Sequence, residues 1–528
     1  PATVRKVHLV FSNHFDAGFA DYASNILNRY VTGGPGTLGP PHPRNETVHY
    51  DSFLLSAAAT ASALRAKNVS RGAPRFRYMT HAYIASYFAD CTTEYPRVGL
   101  GNPLRCPNAS QLAVFADAVA RGDIFWHAFP HNAEPELMDT SFFGWAIDFT
   151  QQLAARFKSP TIPKVMSQRD VPGLSRGAIP TLVKHGVIGI SVGVNDGSPA
   201  PILPSTAMCY SGERQIRTPF VWKDVATGTS VVADFHPGGY GGVLPINPDE
   251  GVPFYSRDGV LCDCVGVQGL DEVLCYTWKG DNYGGANVTQ TEHNFDIFYH
   301  TFPNAEEVVA SSLGQFWALL EDHKDKMEIV TSEIGDTWMY GASSDPLKLA
   351  TMRYMMRARR SLDSGVGLGV AGGPQGQDGD RHSRERGYVD NGLTEFNRLL
   401  LKLPEHTWGS CGSAHTHVTK PTDDWTSDAL EAAINQGQDP FFAVVQASWD
   451  EQRQFMTKAR SAVPASSPLG PLLDKEQATL SAPAPTAAAL AADGFEPQPK
   501  DRWDETFSFP SAGIDVRFDE ATGALVGL

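Results

Sequence analysis

The sequence predicts an α/β fold, in the form of a β/α barrel, over its first 300 or so residues. Apolar strand-like runs alternate there with amphipathic helical stretches, which is typical of a parallel sheet that is either doubly wound or closed. Clusters of polar residues follow directly after several of these strands. Because the active site of an α/β barrel is assembled at the C-terminal ends of its strands, this placement favours a barrel and a metal-assisted enzyme.

Hydrophobic periodicity places each element in turn. Seven apolar runs are predicted to be strands, at residues 4–12, 75–80, 123–128, 165–167, 187–194, 231–235 and 272–278. Four stretches between them have helical periodicity, at residues 51–67, 109–121, 141–157 and 175–185. No Gly-x-Gly-x-x-Gly segment follows the first strand and no P-loop lysine motif is present, so the sequence does not support a nucleotide-binding domain.

The pattern becomes helical from about residue 304. Helices are predicted at residues 305–324, 346–361, 395–403 and 441–460. An Ala-, Pro- and Ser-rich stretch follows, which resembles a linker or an extended surface crossing, and two short β segments come after it. We therefore expect a barrel at residues 1–303, a helical domain at 304–463, a linker at 464–503 and the start of a β domain at 504–528.

The composition of the chain excludes some partners. The 528 residues carry a net charge of −16 and include no long basic run. An acidic chain of this kind is a poor partner for nucleic acid or for an anionic membrane surface. No stretch reaches the apolar length of a transmembrane helix. No pattern in the sequence predicts the oligomeric state.

Sequons and cysteines predict an extracellular location or passage through the secretory pathway, although no signal peptide is visible before the first strand. Four Asn-x-Ser/Thr sequons lie in polar or loop-like surroundings, at Asn45, Asn68, Asn108 and Asn287. Cys91 and Cys106 flank a Pro- and Gly-rich loop that a disulfide could staple. Cys262, Cys264 and Cys275 could include a second bridge.

Five polar segments stand in a distinctive order along the chain. They are HFDAGF at 14–19, SQRDVPGLS at 167–175, GDNY at 280–283, WMYG to PLK at 338–348 and EHTWG at 405–409. Together they resemble the motifs of glycoside hydrolase family 38, the α-mannosidases, over roughly residues 7–410. The resemblance implies a β/α barrel of the seven-stranded type, followed by a helical bundle and by β-sandwich domains.

The resemblance also implies roles for individual residues. His14, Asp16, Asp170 and His406 match the family's metal ligands, and Asp170 matches its nucleophile as well. Asn282 stands where the family has its acid/base carboxylate, so only the preceding Asp281 remains there.

Two further positions depart from the motifs. Thr407 replaces the Asp that follows the last metal histidine, and Phe19 replaces the Trp of the first motif. The metal site therefore transfers better than the activity.

The chemistry of the matched residues supports a metal site. His14 and Asp16 are two residues apart, so at a strand end their side chains point to the same side and can clip one divalent ion. The alternative is an Asp that fixes the His by a hydrogen bond. With Asp170 and His406 the set contains two imidazoles and two carboxylates, which suits one Zn²⁺ ion. Such an ion could hold adjacent sugar hydroxyls and orient the ring.

Several carboxyl groups are candidates for catalysis. A retaining glycosidase needs a nucleophilic carboxylate and a second carboxyl about 5 Å away that protonates the leaving oxygen. We expect Asp170 to be the nucleophile and Asp281 the acid, with Glu136 and Asp139 as the next candidates. The structural alternatives are a helix N-cap for Asp170, an Asx turn for Asp281 and an acidic first helical turn for Glu136.

Other residues could contact the substrate, because aromatic faces stack on sugar rings and polar side chains bond to hydroxyl groups. They are Trp126, His127, His131, Arg169, His236, Trp338 and Tyr340. Core packing is the alternative for each aromatic residue. His236 precedes a Gly-rich loop that could cover the site.

The sequence thus predicts a zinc-dependent, α-mannosidase-like glycoside hydrolase that acts on a glycan with retention. Two other classes stay open. One is a metal-dependent deacetylase or polysaccharide lyase, for which Arg169 and Arg176 near Asp170 would neutralise a uronate. The other is a non-catalytic glycan-binding or structural protein, which Asn282 at the acid position favours.

Overall fold

The chain divides into two compact units, Pro1–Asp474 and Lys475–Leu528. The computed structural model describes residues 3–37, 47–67, 76–91, 95, 101–171, 173–194, 218–236, 264–280, 282–335, 338–339, 345–363, 393–410, 428, 431, 435, 440–480, 486–492, 506–509, 514–519 and 525–527. The first unit contains all of the predicted metal ligands, so its sheets determine how those residues meet.

Six strands of the first unit form one sheet. They are β1 (Lys6–Asn13), β4 (Tyr78–Thr80), β5 (Ile124–Trp126), β10 (Cys264–Val265), β11 (Glu272–Lys279) and β12 (Glu307–Ala310). The strand order is β10-β11-β1-β4-β5, with β12 also pairing with β1. All of these pairs are parallel except β10 with β11. Parallel pairing places the C-terminal ends of β1 and β11 side by side at one edge.

Five further strands form a second sheet. They are β6 (Val165–Arg169), β7 (Gly189–Gly193), β8 (Phe220–Lys223), β9 (Ser230–His236) and β13 (Ile329–Val330). The order is β13-β8-β9-β7-β6, and only β8 with β9 is antiparallel. A separate ribbon pairs β2 (Gly34–Thr37) with β3 (Thr47–Tyr50). The fold is therefore mixed α/β with parallel sheets.

The predicted closed barrel is not found among the described strands, since those predicted to form it are divided between two open sheets. The two sheets do approach each other. After β5, the Ala128 amide donates to the Val165 carbonyl at the start of β6, at 2.8 Å. On the opposite side of the sheets, the Tyr276 hydroxyl of β11 donates to Asp234 of β9 at 2.9 Å. Side chains of both sheets therefore meet in a shared interior.

Helices cover the sheets and build the rest of the first unit. The helices up to residue 321 are α1 (Ala23–Val31), α2 (Phe53–Lys67), α3 (Ala82–Ala89), α4 (Ala109–Arg121), α5 (Thr140–Arg156), α6 (Ile179–Lys184), α7 (Val288–Thr301) and α8 (Leu313–Glu321). The later ones are α9 (Pro346–Asp363), α10 (Thr394–Leu400) and α11 (Pro440–Ser461). Single 3-10 turns lie at Pro135–Leu137, Arg176–Ala178 and Lys324–Lys326.

The seven predicted strands are confirmed as β1, β4, β5, β6, β7, β9 and β11. The helix predicted at residues 305–324 is wrong, since this stretch contains strand β12 and then helix α8. β12 pairs in parallel with β1, and its apolar Val308 packs into the core. Strands β12 and β13 carry the α/β region past residue 303, and the division into domains stays a prediction.

The C-terminal part of the chain also differs from a simple linker. The stretch predicted as a linker or extended crossing contains helices α12 (Leu469–Leu480) and α13 (Ala487–Ala492). In the second unit, β14 (Thr506–Phe509), β15 (Ile514–Phe518) and β16 (Leu525–Gly527) form an antiparallel sheet. The two predicted β segments near the end of the sequence therefore belong to a three-stranded sheet.

Two disulfides join cysteines that the sequence placed close together. Cys91 bonds to Cys106, as predicted for the loop between them. Cys264 bonds to Cys275, its direct partner in the antiparallel pair of β10 and β11. None of the helices in the described part of the chain combines the length and apolarity needed to cross a membrane.

Two of the four sequons lie at exposed helix N-termini, and we expect both to carry N-glycans when the chain is secreted from eukaryotic cells. Asn108 and Asn287 each accept a backbone hydrogen bond through Oδ1, from Gln111 and Gln290, both at 2.9 Å. An N-glycan is attached at the side-chain nitrogen of the asparagine, so Oδ1 can still accept the hydrogen bond that caps the helix. Mass spectrometry of the secreted protein checks this, with Ser110→Ala and Thr289→Ala as unglycosylated controls. Unmodified asparagines at both positions would count against the prediction.

Candidate metal centre

The four predicted metal ligands converge at the C-terminal ends of β1 and β6. Asp16 Oδ1 lies 2.9 Å from His14 Nε2 and 3.0 Å from His406 Nε2. Asp170 Oδ2 lies 3.5 Å and 3.4 Å from the same two nitrogens. One ligand atom from each residue falls within 4.8 Å of all the others. His406 comes from a segment almost 400 residues after β1, so only the tertiary fold brings this residue to the site.

The spacing of these atoms fits a divalent cation. Ligands at about 2.0–2.1 Å from a tetrahedral zinc ion lie about 3.3 Å from one another, close to the separations seen between the imidazoles and carboxylates. The Nε2 nitrogen of His406 is buried and makes no hydrogen bond of good geometry, although two carboxylate oxygens surround it. A buried nitrogen directed between two carboxylates is suited to bind a cation. Two neutral imidazoles and two carboxylates would balance its double charge.

Backbone strain marks the segment that carries Asp170. Asp170 has φ +74°, a left-handed conformation that is uncommon for a residue with a side chain. Its amide donates to the Gly193 carbonyl at 2.8 Å, which ties the end of β6 to the end of β7. The strand therefore turns sharply at Asp170, and this turn directs its carboxylate to the two histidines.

Asn132, which the sequence analysis missed, holds three parts of the centre together. Its side-chain amide donates to the Phe15 carbonyl at 3.1 Å and lies 3.2 Å from His14 Nδ1. Its side-chain oxygen accepts from the Arg169 amide at 3.0 Å. Asn132 follows the strand β5 by a few residues, so its position as a polar residue after a strand end was the signal that could have identified it.

Glu405 and Lys402 orient His406 from the side opposite to the cluster. Glu405 Oε1 lies 2.9 Å from His406 Nδ1, and Lys402 Nζ lies 2.7 Å from Glu405 Oε2. Both charged side chains are fully buried. A carboxylate on the second imidazole nitrogen sets the tautomer and increases the basicity of the first. Glu405 directly precedes His406 in sequence, but nothing local revealed its contact with the ring.

Asn282 packs against the segment that carries His14 and Asp16. Its side-chain Oδ1 accepts from the Asp16 backbone amide at 3.2 Å, and its backbone amide donates to the His14 carbonyl at 2.9 Å. Its φ of +52° and its exposure of 2% fit a residue that closes a tight, buried turn. Asn282 therefore supports the His14–Asp16 segment.

The carboxyl groups near the centre differ in their surroundings. Glu136 accepts from the Ser175 amide at 2.5 Å, and burial raises its pKa. Asp139 caps helix α5 through the Phe142 amide at 2.8 Å, which is a structural role. Asp281 lies outside the described residues.

Glu134 is a carboxyl group that the sequence analysis did not select. Its amide donates to the Pro404 carbonyl, and the preceding residue forms a bridge with Glu405. These contacts hold the Glu134 backbone against the segment that carries Glu405 and His406. Burial raises the pKa of Glu134, although Lys348 and His406 counteract the rise.

Three aromatic residues predicted to bind substrate are buried instead. Trp126 is 2% exposed, and its indole nitrogen donates to the Thr150 carbonyl in the core. His127 pairs with His81 at 3.0 Å, and burial lowers its pKa to about 3. His131 Nε2 lies 2.8 Å from the Leu401 carbonyl. These three predictions are therefore corrected to packing and hydrogen-bonding roles inside the fold.

Arg169 is also fully buried. Its guanidinium donates to the carbonyl and hydroxyl oxygens of Ser191 at 2.7 and 2.8 Å and lies 4.3 Å from the centre of the Trp278 ring. It therefore links β6, β7 and β11 inside the fold. Trp338 is partly buried. Tyr340 and the side chain of His236 lie outside the described residues.

The metal-free protein should lose stability as pH rises. Burial alone would lower the pKa of His14, but Asp16 and Asp170 outweigh it and raise the pKa to about 10. A raised pKa contributes stability that is complete below the unfolded value of about 6.5 and is lost as pH rises through about 10. We expect the melting temperature of chelator-treated protein to fall over this window relative to zinc-loaded protein. A parallel pH profile for metal-free His14→Gln would contradict this assignment.

The comparisons with solved structures concern the fold alone. An alpha-mannosidase from Enterococcus faecalis V583 aligns with a TM-score of 0.51 and 10% identity, over 90% of this chain and 43% of that one. A protein in glycosyl hydrolase family 38 from Enterococcus faecalis aligns with a TM-score of 0.46 and 10% identity, over 91% of this chain and 41% of that one. A 4-alpha-glucanotransferase from Thermococcus litoralis has a TM-score of 0.32 at 10% identity, over 69% and 47%. The last two scores are too low to carry an argument.

The chain spans less than half the length of these structures. A family model described as a domain of unknown function, DUF5054, matches residues 381–528. None of the curated proteins matches the chain. The comparisons therefore establish a mixed α/β fold that is distantly similar to that of an α-mannosidase.

Proposed function

We propose that the chain is a metal-dependent glycoside hydrolase that acts on a glycan with retention of configuration, as α-mannosidases do. The observation that carries the proposal is the convergence of His14, Asp16, Asp170 and His406. Asp170 is the most exposed of the four, at 14%, against 1% or less for the others. A ligand that approaches the cluster therefore meets Asp170 first, which suits the nucleophile of a retaining enzyme.

The four residues would hold one divalent ion, most simply Zn²⁺. When bound, the ion would supply a positive charge that fixes adjacent sugar hydroxyls and orients the ring. Glu405 would keep His406 in the tautomer that presents Nε2. Asn132 and Asn282 would hold the backbone around His14 in place. The carboxylate of Asp170 would then face the anomeric carbon.

The proton donor is assigned to Asp281, with Glu134 and Glu136 as alternatives. Asp281 directly precedes Asn282 in sequence, and the backbone amide of Asn282 donates to the His14 carbonyl. Glu134 has a raised pKa and interacts electrostatically with His406. A carboxyl group that stays protonated near neutral pH is suited to act as a general acid.

Aryl glycosides and natural glycans together identify the donor. Loss of the acid should lower kcat/KM on a natural disaccharide by about 10²–10⁴-fold while sparing a dinitrophenyl glycoside, which needs no protonation. We expect Asp281→Asn to show this split, with Glu134→Gln and Glu136→Gln as the matched comparisons. If Glu134→Gln, and not Asp281→Asn, loses activity on the natural disaccharide alone, Glu134 would be the proton donor. Equal losses on both substrates in all three variants would contradict acid catalysis by any of them.

The alternative activities have less support. A lyase needs a cation that neutralises a uronate, and Arg169 is buried and bonded to Ser191. Arg176 donates to the Thr331 carbonyl and lies 3.6 Å from Asp224. A metal-loaded parent protein that cleaves no glycoside in a broad panel would favour a deacetylase or a non-catalytic glycan-binding protein.

We also propose that seven strands form one barrel. The parallel strands run in the order β11, β1, β4, β5, β6, β7 and β9 if the bond from Ala128 to Val165 joins the two sheets. The contact of Tyr276 with Asp234 would close the ring between β11 and β9.

We further propose that the protein is extracellular. The two disulfides support this location, because disulfides persist in oxidising compartments.

A further inference from the structure

A cationic cavity lies at the end of β1 opposite to the metal centre. Its volume is about 690 Å³, which is in the usual range for a small-molecule site. Four of its lining side chains are cationic, and none of the lining residues is a carboxylate. The cations are Lys6, Arg77, Arg121 and Lys164. Because Lys6 begins β1 and His14 follows its end, about 25 Å separates the cavity from the metal centre.

No carboxylate of the described residues contacts the Arg77 guanidinium, although the charge of Asp123 acts on it from farther away. Its guanidinium donates to the Gly122 carbonyl at 3.0 Å and to Gln315 and Thr161, both at 2.6 Å. All three acceptors are neutral, and Arg77 makes no ion pair within the described part of the chain. It is partly buried and lies 5.0 Å from the centre of the Phe125 ring. A guanidinium withdrawn from water is stabilised when an anion pairs with it.

Lys164 supplies a second uncompensated charge. It is exposed, and its ammonium group makes no hydrogen bond or ion pair with any described residue. The other two cations are paired, since Lys6 lies 3.2 Å from Glu307, and Arg121 lies 3.1 Å from Asp123. The cavity therefore holds two charges available to a ligand, in a chain whose net charge is −16.

The remaining walls suit an organic anion. The first turn of α8 lines the cavity, and the partial positive charge of a helix N-terminus favours anions. Ile162 also lines it and is 60% exposed, which offers an apolar surface. We propose that this cavity binds a small organic anion that carries a phosphate or sulfate group, with Arg77 and Lys164 as the residues that bind the anionic group.

Calorimetric titration at low ionic strength tests the proposal on the full chain. The probes are a sugar phosphate, the same sugar as its sulfate ester, inorganic phosphate, inorganic sulfate and the uncharged sugar. We expect saturable binding of at least one sugar ester and none of the uncharged sugar, and the two esters distinguish phosphate from sulfate. Loss of one charge-assisted contact should weaken binding by about tenfold or more in Lys164→Ala and in Arg77→Gln.

Lys326→Ala is the matched control, because Lys326 is exposed and does not line the cavity. The affinity of Lys326→Ala for the sugar esters should equal that of the parent. If Arg77→Gln does not fold, exposed Lys164 still provides the test. No saturable binding of any of the four anions would overturn the proposal, as would equal affinity in the parent and in Lys164→Ala. Binding of the inorganic ions alone would reduce the site to an adventitious one. Glycosidase activity is not part of the readout, so failure here leaves the proposed function untouched.

Discussion

The Asp170→Ala variant is expected to lose at least about 10³–10⁴-fold in kcat on every glycoside that the parent cleaves. Asp170 is the most exposed carboxylate of the cluster and would be the nucleophile, so neither activated nor natural substrates could form the glycosyl-enzyme intermediate. Steady-state kinetics on aryl glycosides and on natural disaccharides measure the loss. In the parent, a fluorinated substrate analogue should add the mass of one sugar to the peptide that contains Asp170.

Two controls separate this chemical role from a structural one. Asp148→Ala removes a carboxylate that lies 2.8 Å from His185 and is not one of the four clustered residues, and it should keep full activity. Asp170→Asn keeps a side-chain oxygen for the ion while it removes the nucleophilic carboxylate. It should therefore retain more metal than Asp170→Ala and remain inactive. Full activity of Asp170→Ala would refute the mechanism.

The His14→Ala variant is expected to lose the bound metal, from about one ion per chain to almost none after dialysis. His14 Nε2 lies 2.9 Å from Asp16 and 3.5 Å from Asp170, so its removal opens one side of the site. Removal of a group that only supports a ligand costs about 10–100-fold in metal affinity, and removal of a ligand should cost more. Elemental analysis and competition with a chelator measure both quantities.

A graded series strengthens this test. Glu405→Gln keeps a hydrogen-bond acceptor for His406 but removes the negative charge, so its affinity should fall by about 10–100-fold, between the parent and His14→Ala. His185→Ala removes a histidine that pairs with Asp148 and should leave the metal content unchanged. Thermal melting of each variant distinguishes loss of metal from loss of the fold. Parent-like metal content in His14→Ala would show that the cluster is not the metal site.

The parts of the fold that depend on local patterns were predicted well from the sequence. The seven parallel strands appear as apolar runs because strands covered on both faces consist largely of apolar residues. The prediction failed at residues 305–324, where β12 and α8 stand close together. The apolar run of β12 is short enough to fit a helix or a strand equally well. Only its pairing with β1 settles which one forms.

The residue types of the metal site were also visible in the sequence, because His14 and Asp16 lie two apart after a strand and share a side. The supporting residues were not visible. Asn282 contacts Asp16 across 266 positions in sequence, and Asn132 contacts His14 across 118 positions. Such contacts leave no periodic signal, since each depends on two distant segments meeting.

The sequence by itself determined where the seven strands lie along the chain and which four His and Asp side chains are candidate metal ligands, because both follow from local spacing and from motif resemblance. Only the tertiary structure decided which polar and aromatic residues are accessible. Trp126, His131 and Arg169 carry side chains suited to binding a sugar, yet the sheets bury all three. Arg77 and Lys164 are ordinary cations in the sequence, and the fold places them in one cavity without a carboxylate among its lining residues. Accessibility and charge balance arise from the packing of distant segments, which is why neither could be predicted from neighbouring residues.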